Sequence, residues 1–279
     1  MAAHAIDILS FASAMRLALY QCGQIAQALQ GQVVREDKAP DSVHQTSTEV
    51  SVVDRLCQEI LLLRAHEIAP DLEMQSEELA DCPPQIMDLY ASNRSAHVLV
   101  LDPVDGTGEY LQSKQGYAHM LGLLNQATSR MDLGMIYFPA RARLYLAVRG
   151  MGAFISDGYW STPRPLATER PPRTVEDVKR LRPQDYVVFE RLGYQTVPPE
   201  SASAANELTR IAEGRLGAMV MRHFHGHDTA ISSVIIEELG GLVLTEGGGT
   251  VTYERDMPRM PLVISSLSPE YARELCNAL

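Results

Sequence analysis

The feature that most constrains this chain is the segment LDPVDGT at residues 101–107. Residues 97–101 lead into it and are mostly apolar, which predicts a buried strand. Pro103 has no amide proton for a strand ladder, so we expect the chain to leave the sheet there. Gly106 allows a backbone conformation closed to most residues and lets the main chain approach a ligand. The two aspartates repel each other unless something positive lies between them, which favours a divalent metal over an acidic surface turn.

Composition excludes several classes of protein. The chain has 279 residues, enough for one large domain or two lobes that share a core. A formal net charge of −11 disfavours binding to a nucleic acid polymer or an anionic membrane, although metal ions would still allow action on a phosphate. No secretion signal or membrane-spanning run is present, and the four cysteines lack metal-ligand spacing. We expect a cytoplasmic protein with reduced thiols.

The first half shows helix signals and then strand signals. Apolar residues between Ile6 and Leu29 have helical spacing, and residues 32–48 are polar and predicted as a loop. Ser51 and Asp54 have the spacing of a capping box, which predicts a helix from there to about His66. An antiparallel meander follows, with predicted strands at residues 117–124, 132–138, 144–148 and 153–156.

The second half alternates strands and helices. Residues 161–183 are rich in proline and charge, which predicts a surface connection between an N-terminal α+β lobe (1–160) and a C-terminal α/β lobe (161–279). The C-terminal lobe is predicted to form strands at residues 186–190, 216–221, 242–245 and 262–265, and helices at residues 202–213, 229–239 and from Ser268 onward. The architecture is therefore mixed α/β.

Acidic residues recur where elements end or begin: Asp54, Glu77, Glu78, Asp102, Asp105 and Asp228. A single acidic residue is usually a solvated surface group, so the set rather than any one member indicates a site. Asp228 stands where a helix begins, and Thr107 follows a turn glycine. Both positions offer backbone N–H groups to an anion such as a phosphate.

The order of these motifs resembles one family. Ser-Glu-Glu at 76–78, Asp-Pro-Val-Asp-Gly-Thr at 102–107 and His-Asp-Thr-Ala at 227–230 are similar to the inositol monophosphatase superfamily over about residues 51–248. The resemblance implies a layered α/β/α/β/α sandwich of the inositol monophosphatase and fructose-1,6-bisphosphatase type. It also implies a lithium-sensitive phosphomonoesterase that uses two or three Mg²⁺ ions on a small phosphorylated metabolite, as a monomer or homodimer.

The same resemblance implies roles for individual residues. Asp54 and Thr107 match the pair that orients and activates the attacking water, with Glu77 as a further catalytic residue and Glu78 in support. The implied metal ligands are Glu77, Asp102, the backbone carbonyl of Val104, Asp105 and Asp228. The substrate-binding residues are expected to be Gly106, Thr107, Ser203, Arg222 and Asp228. The rigid fork of Arg222 suits a second phosphate, and a solvated or ion-paired arginine is the equally weighted alternative.

The substrate is less constrained. Asp-Gly-Thr-Gly-Glu-Tyr-Leu at 105–111 resembles the Asp-Gly-Thr-Lys-Glu-Phe-Ile variant of the 3'(2'),5'-bisphosphate nucleotidases. These enzymes remove the 3'-phosphate of adenosine 3',5'-bisphosphate, a by-product of sulfate assimilation. The alternative is an inositol-1-monophosphatase. Four departures concern mainly the leaving-group pocket: Gly108 for a lysine, His227 for a tryptophan, Ser51 for a threonine, and Glu207 where nucleotidases tend to carry lysine.

Other interpretations stay open. His223, His225 and His227 alternate, so an extended segment would place three imidazoles on one side as a zinc site, or they contact solvent or substrate. The chain could also be a non-catalytic relative that binds a phosphorylated metabolite and regulates a partner, or a metal-binding structural protein. Because every matched acid is present, the enzyme is favoured.

Overall fold

Helices and strands alternate over most of the chain. The computed structural model describes residues 6–37, 49–91, 95–178 and 180–279, except for the side chains of Glu49, His225 and Asp228. The helices are α1 (Ile8–Leu29), α2 (Val52–Ile68), α3 (Pro84–Tyr90), α4 (Thr107–Leu111), α5 (Pro183–Arg191), α6 (Ala204–Ala212), α7 (Gly226–Glu238) and α8 (Pro269–Ala278). The strands of the first half are β1 (Glu36–Asp37), β2 (Glu49–Val50), β3 (Glu73–Ser76), β4 (His97–Asp105), β5 (Ala118–Asn125), β6 (Arg130–Phe138), β7 (Arg143–Val148) and β8 (Gly152–Asp157). Those of the second half are β9 (Arg164–Pro165), β10 (Thr174–Glu176), β11 (Gln195–Val197), β12 (Met219–His225), β13 (Leu242–Thr245) and β14 (Arg259–Ser266).

Side-chain caps set the starts of several helices. The carboxylate of Asp7 accepts from the amides of Leu9 and Ser10, at 3.1 and 3.2 Å, and begins α1. Ser51 and Asp54 form the predicted capping box at the start of α2. Both predicted N-terminal helices are therefore confirmed. Of the loop predicted at 32–48, residues 38–48 lie outside the described residues.

A seven-stranded sheet forms the centre of the first half, in the order β3-β4-β5-β6-β7-β8-β9. β3 and β4 are parallel, and the remaining neighbours are antiparallel, which confirms the predicted meander. Along β4, successive side chains point to opposite faces. Val98 and Val100 therefore join one core, while Leu99 and Leu101 join the other.

The prediction that the chain leaves the sheet at Pro103 is wrong. β4 continues to Asp105, which pairs with Ala118 on β5. The register shifts between Asp102 and Asp105, so the strand bulges where proline cannot donate to the ladder. The bulge changes the direction of the strand and keeps both aspartates at its end.

The small sheet of the second half has the order β12-β14-β13, all antiparallel. The parallel pair β10 and β11 adjoins it through a bridge between Val175 and Ala218. The predicted helices over 202–213 and 229–239 are confirmed, as are the strands at β13 and β14 and the C-terminal helix capped by Ser268. The strand predicted at 216–221 is displaced toward the C-terminus, as β12.

Two predictions in this half are wrong. Residues 186–190 lie in α5 rather than in a strand, because Pro183 and Asp185 start a helix there and Phe189 turns into a core. Residues 161–183 are more than a surface connection, since they contain β9 and β10 and bury Val175 and Glu176. In the first case a local helix start prevails over the apolar alternation, and in the second case tertiary contacts bury residues of a proline-rich stretch.

Three hydrophobic cores separate five layers. The first core lies between α1, α2 and one face of the large sheet, and the second lies between its other face, α6, α7 and the small sheet. A third packs α5 and α8 on the outer face of the small sheet. This arrangement confirms the layered α/β/α/β/α fold, whereas the division into lobes at residue 160 stays a prediction.

Two further expectations concern compartment and redox state. None of the four cysteines forms a disulfide, and Cys22, Cys57 and Cys82 are buried. Within the described ranges, each helix falls short of the length or the apolar content needed to cross a lipid bilayer.

Candidate functional site

A cavity of about 540 Å³ brings together residues from both halves of the chain. From the first half, the ends of the two parallel strands and the turn after them contribute Glu77, Asp102, Val104, Asp105, Gly106 and Thr107. From the second half, the segment after β10, α6 and β12 contribute residues that include Glu176, Asp177, Val178, Arg180, Ser203, Glu207, Met219 and Phe224.

Strand pairing places Glu77 beside Asp102. The backbone N–H of Glu77 donates to the carbonyl of Leu101 at 3.1 Å, which continues the ladder between β3 and β4 by one residue. Gln58 holds the following turn, because its Nε2 donates to the carbonyl of Glu78 at 2.9 Å and its Oε1 accepts from Ser76. Sequence analysis missed Gln58. The available signal was its position one helical turn after Asp54, on the same face of α2, where the structure buries it.

Asp54 and Thr107 are in direct contact. Oδ1 of Asp54 accepts from the Thr107 hydroxyl at 2.9 Å, and Oδ2 accepts from the amide and hydroxyl of Ser51 at 2.8 and 2.6 Å. Burial raises the pKa of Asp54 to about 6, against the opposing effect of these hydrogen bonds. Near neutral pH this carboxylate is therefore mostly ionised and close to its titration range.

Asp105 is held by the start of α6. Its carboxylate accepts from the Ser203 hydroxyl and from the amides of Ala204 and Ala205, at 3.3 and 3.0 Å. Gly106 has φ +80°, and a Cβ there would lie 3.0 Å from Cβ of Ser203. Only glycine combines this conformation with so close an approach, so the turn packs tightly on the helix.

The carboxylates of Glu77, Asp102 and Asp105 and the carbonyl of Val104 share the cavity, and hard oxygen donors of this kind fit Mg²⁺. Within the described part of the chain, no three His, Cys, Asp or Glu side chains converge tightly enough to hold an ion. The predicted ligand Asp228 lies in the first turn of α7, but its side chain is outside the described residues. The donor chemistry of the described ligands therefore fits a divalent cation.

His119 is a second residue that sequence analysis missed. Burial lowers its pKa to about 4, so the imidazole is neutral and Nδ1–H donates to the carbonyl of Pro103. Its ring stacks on Tyr137, with centroids 6.4 Å apart. His119 thereby fixes the bulge between Asp102 and Asp105. The available signal was a histidine inside an otherwise apolar strand.

Of the two possibilities for Arg222, the structure shows the ion pair and not the substrate contact. Arg222 is 6 % exposed, and its Nε and Nη2 donate to the two carboxylate oxygens of Asp185 at 2.8 and 2.9 Å. It is also not among the described residues that line the cavity. The guanidinium therefore joins α5 to β12, and the arginine at the cavity is Arg180.

The three histidines do not form one row. β12 ends at residue 225, and His227 lies in α7, where it is buried. His223 is exposed and has φ +54°. The side chain of His225 lies outside the described residues, so the zinc interpretation rests on an extended segment that the two described histidines do not share.

Two glutamates organise the loop before α6. Glu207 accepts from the amides of Glu200 and Ser201, at 3.1 and 2.9 Å, and pairs with Arg210. Glu109 accepts from the amide of Ala202 at 3.2 Å. The acidic residue at position 207 thus supports the loop that forms part of the cavity wall.

Comparison with known proteins places this geometry in a family. Residues 10–279 match the model of the inositol monophosphatase family. The Nus factor SuhB of Pasteurella multocida is 25% identical over 223 residues, 77% of this chain and 78% of that protein. Inositol monophosphatase 2 of Homo sapiens is 24% identical over 249 residues, 86% of this chain and 81% of that protein. Among solved structures, an IMPase/NADP phosphatase complexed with NADP and Ca²⁺ has a TM-score of 0.74, with 18% identity, over 99% of this chain and 98% of that one.

Proposed function

The chain belongs to the inositol monophosphatase family, whose members are phosphatases, and from this premise we propose a Mg²⁺-dependent phosphomonoesterase that removes the 3'-phosphate of adenosine 3',5'-bisphosphate. The observation that carries the proposal is the 2.9 Å contact between Asp54 and Thr107, next to a cavity lined by carboxylates. The proposed ligands of two or three Mg²⁺ ions are Glu77, Asp102, the Val104 carbonyl, Asp105 and Asp228.

The chemistry assigned to these residues starts at Thr107. Its hydroxyl has a single proton and two acceptors in reach, Oδ1 of Asp54 at 2.9 Å and the carbonyl of Val104 at 3.0 Å. When it donates to Asp54, its lone pairs can accept from a water molecule and the Val104 carbonyl is available to a cation. Asp54 then holds the hydroxyl in the orientation that aims this water at phosphorus. As the water gives a proton to the Thr107 hydroxyl, Asp54 can take up the proton that this hydroxyl releases.

Bound Mg²⁺ would supply positive charge that neutralises the phosphate oxygens and favours ionisation of the nucleophilic water. In this proposal the backbone N–H groups of Gly106 and Thr107, with the N-terminal turn of α7, hold the phosphate oxygens. Glu77, which lines the same cavity, is a further catalytic residue in this proposal. No covalent phosphoenzyme is needed in this scheme.

The nucleotide is favoured by the cavity lining that the second half of the chain contributes. Val178, Met219 and Phe224 give this wall an apolar and aromatic character, which suits a base and ribose better than a bare polyol. The Gly-Glu-Tyr sequence after Thr107 resembles the nucleotidase branch, and Glu109 also supports the cavity loop. The structural neighbour complexed with NADP is consistent with a nucleotide-sized leaving group.

An inositol-1-monophosphatase is the second candidate. It is favoured by the relatives of this chain, which include inositol monophosphatase 2 of Homo sapiens and inositol-1-monophosphatase of Bacillus subtilis. Inositol 1-phosphate would use the same catalytic residues and metal ligands, and it would leave most of the apolar residues of the cavity uncovered.

Phosphate release tests both candidates. The purified protein is assayed with Mg²⁺ on adenosine 3',5'-bisphosphate, inositol 1-phosphate, fructose 1,6-bisphosphate and p-nitrophenyl phosphate, with Asp102→Asn as the inactive control. We expect the highest kcat/KM on the nucleoside bisphosphate. A preference for inositol 1-phosphate would replace the first candidate by the second. No release from any ester would contradict both and favour a non-catalytic relative that binds a phosphorylated metabolite.

A further inference from the structure

One cationic side chain stands out in the cavity. Among the described lining residues, Arg180 alone carries a positive charge, whereas six carry a carboxyl group: Glu77, Asp102, Asp105, Glu176, Asp177 and Glu207. Arg180 forms no ion pair with any carboxylate in the described part of the chain. Because a partly buried guanidinium usually has an anionic partner, its position indicates a ligand that brings the negative charge.

Contacts on two sides hold Arg180 in place. Its guanidinium carbon lies 5.4 Å from the centroid of the Phe224 ring, and Nη1 donates to the backbone carbonyl of His223. His223 has φ +54°, so the chain turns sharply where it receives this bond. One N–H of the fork is thereby used for positioning, and the remaining donors are available to a planar or tetrahedral anion.

The carboxyl groups on this side of the cavity oppose an anion less than their number suggests. Burial, followed by the charge of Glu207, raises the pKa of Glu176 to about 8, so Glu176 is largely neutral at pH 7. Glu207 is paired with Arg210, and the carboxylate of Asp177 accepts from the hydroxyl of Tyr186 at 2.5 Å. A phosphate beside Arg180 therefore meets little uncompensated negative charge from Glu176 and Glu207, whereas Asp177 keeps its charge and has a hydroxyl as its hydrogen-bond donor.

We propose that Arg180, held on Phe224, binds the phosphate that the enzyme does not cleave, and so selects bisphosphates over monophosphates. The inference rests on the proposed function and adds to it a residue that recognises the leaving group by its uncleaved phosphate. Arg180 lines the same cavity as the carboxylates that would bind metal, so a substrate with two anionic groups can engage the metal ions with one and Arg180 with the other. Arg222, predicted for this role from the sequence, is committed to Asp185.

The test is a specificity ratio. For the wild type and for Arg180→Ala, Arg180→Lys and Arg164→Ala, kcat/KM is measured on adenosine 3',5'-bisphosphate and on adenosine 3'-monophosphate. We expect Arg180→Ala to lower the bisphosphate-to-monophosphate ratio by about tenfold to a hundredfold, the effect of one charge-assisted fork, and Arg180→Lys to retain part of it. Arg164 is an exposed arginine paired with Asp157 outside the cavity, so its removal should leave the ratio unchanged.

A binding measurement separates this inference from the catalytic proposal. Adenosine 5'-monophosphate carries the uncleaved phosphate, and its Kd for the metal-free protein should rise about tenfold or more in Arg180→Ala. An unchanged ratio together with an unchanged Kd would overturn the role of Arg180, even in an active phosphatase. Failure of the wild type to hydrolyse any ester would instead remove the proposed function. A fall in ratio for fructose 1,6-bisphosphate over fructose 1-phosphate alone would uphold the phosphate contact and overturn the nucleoside.

Discussion

At the residue scale, the site depends on single atoms that have more than one possible partner. Thr107 is such a residue, since its one proton can go to Asp54 or to the Val104 carbonyl. Glu176 is another. It is 1 % exposed, its Oε2 has no hydrogen-bond partner among the described residues, and it lines the cavity. Each can be tested by a substitution that keeps the shape of the side chain and changes its protons.

Thr107→Val should lower kcat by about a hundredfold to ten-thousandfold, because it removes the hydroxyl that links the water to Asp54. Thr107→Ser is the matched control and should retain most of the activity, since it keeps the hydroxyl. Steady-state kinetics on the best substrate measure both variants, and thermal unfolding checks that they fold. Similar activity in the Thr107→Val and Thr107→Ser enzymes would show that the hydroxyl has no role in the reaction.

Glu176 should make stability depend on pH. Its pKa is about 8 in the folded protein, against 4.5 as the ordinary value, so between these limits the folded protein keeps a proton that the unfolded chain has lost. Stability is therefore fully retained at low pH and falls as pH rises through this window. The free energy of unfolding of the metal-free protein is compared between Glu176→Gln and the wild type. The difference should shift in favour of the variant by roughly 1–3 kcal/mol from pH 5 to pH 8.

Urea unfolding at the two pH values measures this gain. Asp177→Asn is the control. The carboxyl of Asp177 is next to Glu176 in the chain but is exposed, so its removal should change the pH dependence of stability much less. Equal stability differences at pH 5 and pH 8 would mean that the Glu176 carboxyl is ionised in the folded protein.

At the scale of elements, α6 has two roles at its first turn. Ser203 caps the helix by accepting from the amide of Asn206 at 3.0 Å, and its hydroxyl donates to Asp105. The free amides of a helix start and its positive dipole end favour a carboxylate at this position. The helix therefore orients an acidic residue of the cavity as well as filling a core layer.

Ser203→Ala should destabilise the fold by about 1 kcal/mol, the usual loss for a helix cap. It should also lower kcat/KM by about tenfold, since Asp105 loses one charge-assisted hydrogen bond. Ser268→Ala is the matched control, because Ser268 caps α8 through the amide of Tyr271 at 3.3 Å and lies outside the cavity. The two variants should lose similar stability in urea, and an equal effect on activity would contradict the link between α6 and Asp105.

At the scale of the whole molecule, the layers are joined by a few buried polar contacts as well as by the three cores. The pair of Arg222 with Asp185 attaches α5 to the small sheet, with both side chains buried. Burial tends to raise the pKa of Asp185, but hydrogen bonds from Arg222 and Arg182 lower it overall. The pair thereby holds α5, in the outermost helix layer, against β12, which contributes Met219 and Phe224 to the cavity lining.

Arg222→Met should destabilise the protein by about 3–5 kcal/mol, because it leaves the carboxylate of Asp185 buried without its main partner. The double substitution Arg222→Met with Asp185→Leu should recover most of this loss. Urea unfolding of the three variants gives the coupling, and KM of the folded double variant should stay close to that of the wild type. A large rise in KM without loss of stability would restore the substrate role predicted for Arg222.

The sequence alone was sufficient for the features that depend on near neighbours. The capping box at Ser51 and Asp54, the meander of the large sheet and the family motif at 102–107 could all be predicted, since their signals lie within a few residues of one another. The tertiary structure decided the rest. It turned residues 186–190 into a helix, continued β4 past Pro103, paired Arg222 with Asp185 and brought Arg180 to the cavity. A side chain's role there depends on which distant partner packs against it, and long-range contacts of this kind leave no local periodicity to read.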